Sequence, residues 1–261
     1  MKTKMLLAID IGNTNISFGL FEGDKLKADF RLQTNIKSDE YKYEKLLMKE
    51  LKILSNPVLD GVVIASVVPK LQLCFKNICK RMKAKKVLIV DEKVFTEMPI
   101  LCDNPKKVGV DRLVNAFAAK EIYGYPAVIV DFGTATTFDV VSRNGEYLGG
   151  AILPGINMSA NALHRETAKL PFVRITKPAK FIGKNTIDAI KSGVYYGAIG
   201  AIKIIFEGIS KELHSSILTI GTGGLVNILV KEDKKIFNYI NPFLTLEGLR
   251  IIYKRYEKNN Y

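Results

Sequence analysis

Apolar residues fall along this chain in two rhythms, alternating and helical, and the same succession occurs twice. An apolar run from Met5 to Ile9 ends on Asp10, and two β-rich stretches follow around the turn Glu22-Gly23-Asp24. The pattern predicts strands near 5–11, 15–22 and 25–33. Ser38 is placed to cap a helix reaching about Leu54, with Asp39 and Glu40 at its positive end. Val62 to Ser66 predicts a buried strand, Pro69 opens a helix, and Val87 to Val90 predicts the next strand. A loop with Pro99 and Pro105 leads to a helix over about 110–123.

Gly124-Tyr125-Pro126 predicts a junction, after which the order repeats. Strands are expected near 127–131, 135–142 and 146–153, the last two joined at Arg143-Asn144-Gly145-Glu146, a strong hairpin signal. Helices near 155–169 and 185–210 follow, then a strand at 216–220, a helix from about 223, a short strand near 236–240 and a helix over 243–256. Pro171 to Phe181 reads as a loop. Three strands followed by alternating helix and strand, twice over, predict an α/β protein of two like domains, 1–124 and 125–261. A length of 261 residues suits that division.

Composition narrows the class. Hydrophobic residues at 48% and charged residues at 25% describe a soluble globular chain, and no uninterrupted apolar run approaches a membrane span. The basic start Met1-Lys2-Thr3-Lys4 meets Asp10 too soon for a signal peptide, so the first apolar run is expected to be a strand. Three cysteines without an export signal fit a reducing cytoplasm. With no Cys-x-x-Cys pair and only His164 and His214, far apart, neither a zinc site nor a Ser-His-Asp triad is indicated.

The net charge of +13 raises nucleic acid as a partner. The densest basic stretch, Lys76 to Lys86, also carries Leu71, Phe75, Ile78 and Met82 at helical spacing. Its lysines are therefore expected on the solvated face of an amphipathic helix, which argues against a polyanion site. A basic surface would also draw anionic substrates toward a cleft.

Candidate chemistry lies where the repeats coincide. Asp10-Ile11-Gly12-Asn13-Thr14 returns in altered form as Asp131-Phe132-Gly133-Thr134-Ala135-Thr136. Triphosphate binding needs close backbone approach, hydrogen-bond donors and a carboxylate for hydrated Mg²⁺. Gly12, Asn13, Thr14 and Asn15 offer these from one copy, with Asp10 to hold the metal through water. Gly133, Thr134 and Thr136 offer donors from the other. A single such turn is an ordinary strand ending; two at matching places suggest a nucleotide held in a cleft between duplicated domains. A third cluster, Gly221-Thr222-Gly223-Gly224, joins a strand to a helix and could let an adenosine lie flat. The Walker pattern is absent, since Pro178 stands where it needs glycine, and so is the Gly-x-Gly-x-x-Gly fingerprint.

These residues resemble the actin, Hsp70 and sugar kinase superfamily, and within it type III pantothenate kinase. Four segments carry the resemblance: residues 10–15, Gly109-Val110-Asp111-Arg112, residues 131–137, and Gly149-Gly150-Ala151-Ile152-Leu153-Pro154-Gly155. Asn104-Pro105, Thr167 to Pro171, Ile182 to Thr186 and Leu244 to Leu249 support it in family order, so that it covers nearly the whole chain. It implies two ribonuclease H-like (actin-like ATPase) domains. It also implies transfer of the ATP γ-phosphate to the primary hydroxyl of pantothenate, the opening step of coenzyme A synthesis.

Carried over residue by residue, the resemblance assigns ATP to Asp10, Ile11, Gly12, Asn13, Thr14, Asn15, Ile16, Ser17 and Thr134. Pantothenate falls to Gly109, Val110, Asp111, Arg112 and Thr186, with Asp111 as proton acceptor. Asp131 would help hold a monovalent cation, K⁺ or NH₄⁺, and a cytoplasmic homodimer is implied, with no membrane partner. At a helix start Asp111 would be favoured in its ionised form, and it could equally be a plain cap. Many relatives carry Tyr shortly before Asn-Pro to shape the pantothenate pocket; here Cys102 stands in its place, which bears on substrate affinity. The alternatives are an accessory protein in gene activation, left open by the basic surface, and a hydrolase of phosphate chains, disfavoured by Gly109-Val110-Asp111-Arg112.

Overall fold

The computed structural model describes residues 5–54, 57–230 and 236–259; the basic start at 1–4 lies outside them. The elements run β1 (Met5–Ile11), β2 (Asn15–Glu22), β3 (Lys25–Gln33), α1 (Glu40–Ile53), β4 (Leu59–Ser66), α2 (Pro69–Arg81), β5 (Lys86–Ile89) and α3 (Val110–Tyr123). They continue with β6 (Ala127–Phe132), β7 (Ala135–Val141), β8 (Tyr147–Pro154), α4 (Ile156–Arg165), α5 (Thr186–Glu212), β9 (Leu218–Thr222), α6 (Val226–Val230), β10 (Tyr239–Ile240) and α7 (Leu244–Asn259).

The first sheet has the order β3-β2-β1-β4-β5. β1 pairs antiparallel with β2 and parallel with β4, so it is central, and Leu7, Ala8 and Ile9 are fully buried. That covering of both faces explains its unbroken apolar run. β3 lies at the edge and alternates, with Lys25, Lys27, Asp29 and Arg31 more exposed than Leu26, Ala28, Phe30 and Leu32. Phe30 stacks on Phe18 of β2 at 4.6 Å. Charges on that edge discourage pairing with another chain.

α1 is capped by Asp39, whose carboxylate accepts from Lys42 N at 2.7 Å, and not by Ser38. The carboxylate is the better partner for a helix start, and such a cap contributes about 1 kcal/mol. α2 buries Leu71, Phe75, Ile78 and Cys79, and Met82, at its C-cap, packs partly buried against the same core, so the expected stripe holds. Each large apolar side chain buried there contributes about 1.5–3 kcal/mol. Its basic face is solvated and partly neutralised, with Arg81 paired to Glu40 and Glu44; past the helix, Lys85 pairs with Asp60. Burial pushes the Cys79 thiol up to about 12 and Cys74 up to about 11, so both stay protonated and inert at neutral pH.

The second sheet has the order β8-β7-β6-β9-β10, the same succession of three antiparallel strands and two parallel additions. Its central strand β6 buries Ala127, Val128, Ile129 and Val130 completely. Val128 and Val130 share a core with Phe138, Ile156, Tyr195, Ile202 and Leu229, among others. α4 ends at Arg165, short of the expected 169, where the Thr167 hydroxyl donates to the Leu163 carbonyl. α5 is long and apolar enough to cross a membrane by length and composition alone. One of its faces nevertheless packs into the core through Ile190, Tyr195, Ile199 and Ile202.

By packing, the chain forms two compact units, Met1–Glu97 with Asn104–Ala118 and Thr245–Tyr261, and Met98–Asp103 with Ala119–Leu244. The cut expected after 124 follows the repeat of the sequence, whereas α7 returns to the first unit. The reason is steric fit. A Cβ at Gly61 of β4 would lie 2.1 Å from the Tyr253 hydroxyl, and one at Gly248 would lie 2.9 Å from Val114 and Ala118. Glycine at those two positions lets α7 lie against β4 and α3.

Candidate active site

In the first unit, Asp10 is half-buried at the end of β1 and pairs across the sheet with Ser17. Paired residues share a face, so the carboxylate and the hydroxyl lie side by side. Between them the chain turns through Gly12, Asn13 and Thr14, and Gly12 N donates to Asn15 O at 3.0 Å. Asn13, Thr14 and Asn15 are exposed, so their polar groups are open to a ligand. Ile11 and Ile16 are fully buried and paired with each other, so their side chains serve the core and only their backbone can face a nucleotide.

Thr34, just past β3, holds this turn. Its hydroxyl donates to Gly12 O at 2.7 Å and its N–H to Thr14 O at 2.9 Å. Sequence reading passes over Thr34 because a lone Thr after an edge strand carries no local signal.

Asp111 lies in the first turn of α3. Arg112 N and Leu113 N both donate to Gly109 O, so the helix starts from Gly109, and Asp111 is inside it rather than its cap. Arg112 N also donates to Asp111 Oδ1 at 2.9 Å. Desolvation raises the Asp111 pKa above the usual carboxylate range, outweighing that N–H and the Arg112 guanidinium. The helix start was expected to favour the ionised form; burial decides the direction instead. A raised pKa makes a carboxylate a better proton acceptor.

The second unit repeats the strand ending. Asp131 is half-buried at the end of β6, opposite Thr137 on β7 and beside Thr222 on β9. Gly133 N donates to Ala135 O at 3.1 Å. Two glycines from later in the chain close on this turn. Gly155 N donates to Thr134 O, and a Cβ on Gly155 would lie 2.2 Å from that oxygen. Gly223 has φ +91°, and a Cβ there would lie 2.3 Å from Asp131 Oδ1. The cluster at 221–224 thus packs against Asp131; the sequence showed the cluster, and only the β6–β9 pairing shows its neighbour.

Thr186 opens α5, whose cap is Asn185, accepting from Asp188 N at 2.9 Å. Thr186 is therefore not needed as a cap. It is exposed and lines a cavity of about 530 Å³ together with Thr136, Ser159, Leu153, Ile156 and Val194. That size suits a small-molecule ligand. Cys102 is half-buried, and a Cβ on Gly149 would lie 3.5 Å from its Sγ.

Among the described residues no group of three or more His, Cys, Asp or Glu side chains could hold a metal ion. Mg²⁺ in phosphoryl-transfer sites needs fewer, since it keeps several waters and binds one or two carboxylates plus substrate phosphates. Asp10, half-buried at a strand end beside exposed donors, fits that use.

Two sheets of one strand order, each ending its central strand in an aspartate beside a glycine turn, define a protein of the actin-like ATPase and sugar kinase fold. Solved structures agree. A Campylobacter jejuni protein described as a Baf family transcriptional activator has a TM-score of 0.62 at 23% identity, over 97% of this chain and 99% of that one. MreB5 of Spiroplasma citri bound to AMPPNP has a TM-score of 0.54 at 14% identity, over 99% and 98%. At such identities the likeness is one of fold. The sequence profile of type III pantothenate kinase matches residues 6–208. The type III pantothenate kinase of Moorella thermoacetica is 43% identical over 253 residues, covering 96% of this chain and 99% of its own. The chain belongs to the type III pantothenate kinase family.

Proposed function

We propose that this chain catalyses the ATP-dependent phosphorylation of pantothenate to 4'-phosphopantothenate, opening coenzyme A synthesis. The observation that carries this reading is the Gly109-Val110-Asp111-Arg112 turn, with its desolvated carboxylate, in a chain of this family. Asp111 accepts the proton of the pantothenate primary hydroxyl as its oxygen bonds to the γ-phosphorus. The bond from that phosphorus to the β,γ-bridging oxygen breaks, and ADP leaves. Phosphoryl transfer passes through a loose transition state, so positioning and charge stabilisation dominate and the proton is lost late. Arg112 suits the pantothenate carboxylate, because a guanidinium is always charged and binds in two-point fashion.

The N–H groups and side chains of Gly12 to Asn15, with Ser17 and Thr134, would orient the triphosphate, and Ile11 and Ile16 would contribute backbone only. Asp10 would hold Mg²⁺ through water, and Asp131 a monovalent cation; these ions supply positive charge against the phosphates. Gly223 brings backbone instead of a side chain against the Asp131 carboxylate, which supports that role for Asp131. Thr186 would contact pantothenate from the cavity it lines.

A cytoplasmic homodimer without a membrane partner belongs to the same reading. Phe181, Ile182 and Ile204, on and before α5, are each more than two-thirds exposed, and an apolar surface of that kind suits a second copy of the chain. The likeness to a transcriptional activator keeps a regulatory role as the second reading. The ion pairs that Arg81 and Lys85 make with Glu40, Glu44 and Asp60 weigh against nucleic acid at α2. Mass detection of phosphopantothenate from ATP and pantothenate separates the two readings. Product in K⁺ and far less in Na⁺ is expected; no product in either would defeat the kinase reading.

A further inference from the structure

Asp139 is a fully buried carboxylate in the second unit that the phosphoryl-transfer scheme does not use. It lies on β7 two residues from Thr137, whose hydroxyl donates to its Oδ2 at 3.3 Å. Thr137 is the cross-strand partner of Asp131 and shares its face of the sheet. The other oxygen, Oδ1, accepts from the hydroxyl of Tyr147 at 2.9 Å, and Tyr147 is itself fully buried. The backbone of Tyr147 grips a separate segment: its N–H donates to Pro99 O, and its carbonyl accepts from Leu101 N, both at 2.8 Å. A polar line thus runs from the Asp131 strand end to the stretch at 98–103. That stretch belongs to the second unit, and the chain passes from it directly into 104–118 of the first unit, which carries Asp111.

A buried carboxylate costs several kcal/mol unless its oxygens are satisfied, and an apolar side chain would fill the same space more cheaply. What the carboxylate adds is direction, since it fixes the rotation of one ring. We infer that Asp139 is a positioning residue for the acceptor substrate: through Tyr147 it holds the 99–102 segment, from which the chain runs on into Asn104 to Arg112. The inference rests on the pantothenate kinase reading. It assigns to Asp139 and Tyr147 an effect on pantothenate that leaves ATP unaffected.

The test is steady-state kinetics of the full chain with each substrate varied in turn. Tyr147→Phe removes only the hydroxyl and is expected to raise the pantothenate KM about tenfold, the value of one hydrogen bond of about 1.4 kcal/mol, while ATP KM and kcat stay within about twofold. Asp139→Asn keeps an acceptor for Tyr147 and is expected to keep most of the pantothenate affinity, whereas Asp139→Ala loses it. Leu101→Pro deletes the N–H that grips Tyr147 at an exposed position, and it carries the test if the core variants do not fold. A wild-type pantothenate KM in folded Tyr147→Phe or Leu101→Pro overturns the inference, as does an equal rise in both KM values. A wild-type enzyme that makes no phosphopantothenate would instead sink the kinase reading itself.

Discussion

A Cβ on residue 109 would lie 2.6 Å from Oδ1 of Asp111, so the carboxylate proposed as proton acceptor folds back over a glycine. The obstructed atom is the end of a side chain, not backbone. Gly109→Ala should therefore move the carboxylate without disturbing α3. Misplacing a catalytic group by about 1 Å can cost on the order of 10²-fold. A fall in kcat of about 10–100-fold is expected, with a thermal midpoint close to wild type, read by kinetics and a melting curve.

Asp111→Asn should lose about 10²–10⁴-fold in turnover, the usual contribution of a positioned base. Its stability should move the other way. The folded pKa of Asp111 is raised above 3.8, so the folded state binds its proton more tightly than the unfolded chain does. As pH rises from 3.8 to the folded pKa, stability falls; above the folded pKa the penalty is complete. Asparagine removes the desolvated charge, so at pH 7 the variant should melt no lower than wild type. The acidic limb of the wild-type kcat/KM profile should lie above pH 3.8.

Gly223→Ala faces both a left-handed φ of +91° and backbone, since its Cβ would lie 2.6 Å from Phe132 N. A loss of about 1–3 kcal/mol in stability is expected. Because Asp131 Oδ1 is the nearest atom of all, the K⁺ concentration for half-maximal activity should rise as well. Titrating K⁺ against rate, beside a denaturant melt, checks both.

Thr34→Val keeps the shape but deletes the hydroxyl that donates to Gly12 O. One such hydrogen bond is worth about 0.5–1.5 kcal/mol. The ATP dissociation constant should weaken by about 2–10-fold, with the pantothenate KM unchanged, as measured by calorimetry and kinetics.

Ile204→Glu puts a charge on the exposed apolar face of α5. If that face seats a second copy, sedimentation at micromolar concentration should shift from dimer to monomer, and unchanged sedimentation would count against the proposed interface.

The elements and their duplication were legible in the order of the residues alone. The apolar pattern placed β1, β2 and β3 to the residue and α3 over 110–123: β1 is an unbroken apolar run that meets Asp10, β3 alternates strictly, and α3 lies between Gly109 and Gly124. It missed the cap of α1 by one residue, since Ser38 and Asp39 are equally plausible caps locally. The remaining features depend on partners distant in the chain. Strand pairing sets Gly223 against Asp131, and the edge of the first sheet brings Thr34 to the Gly12 turn. Packing returns α7 to the first unit, and desolvation reverses the expected shift of Asp111. Burial and close approach are properties of the assembled fold, and no local pattern of residues encodes them.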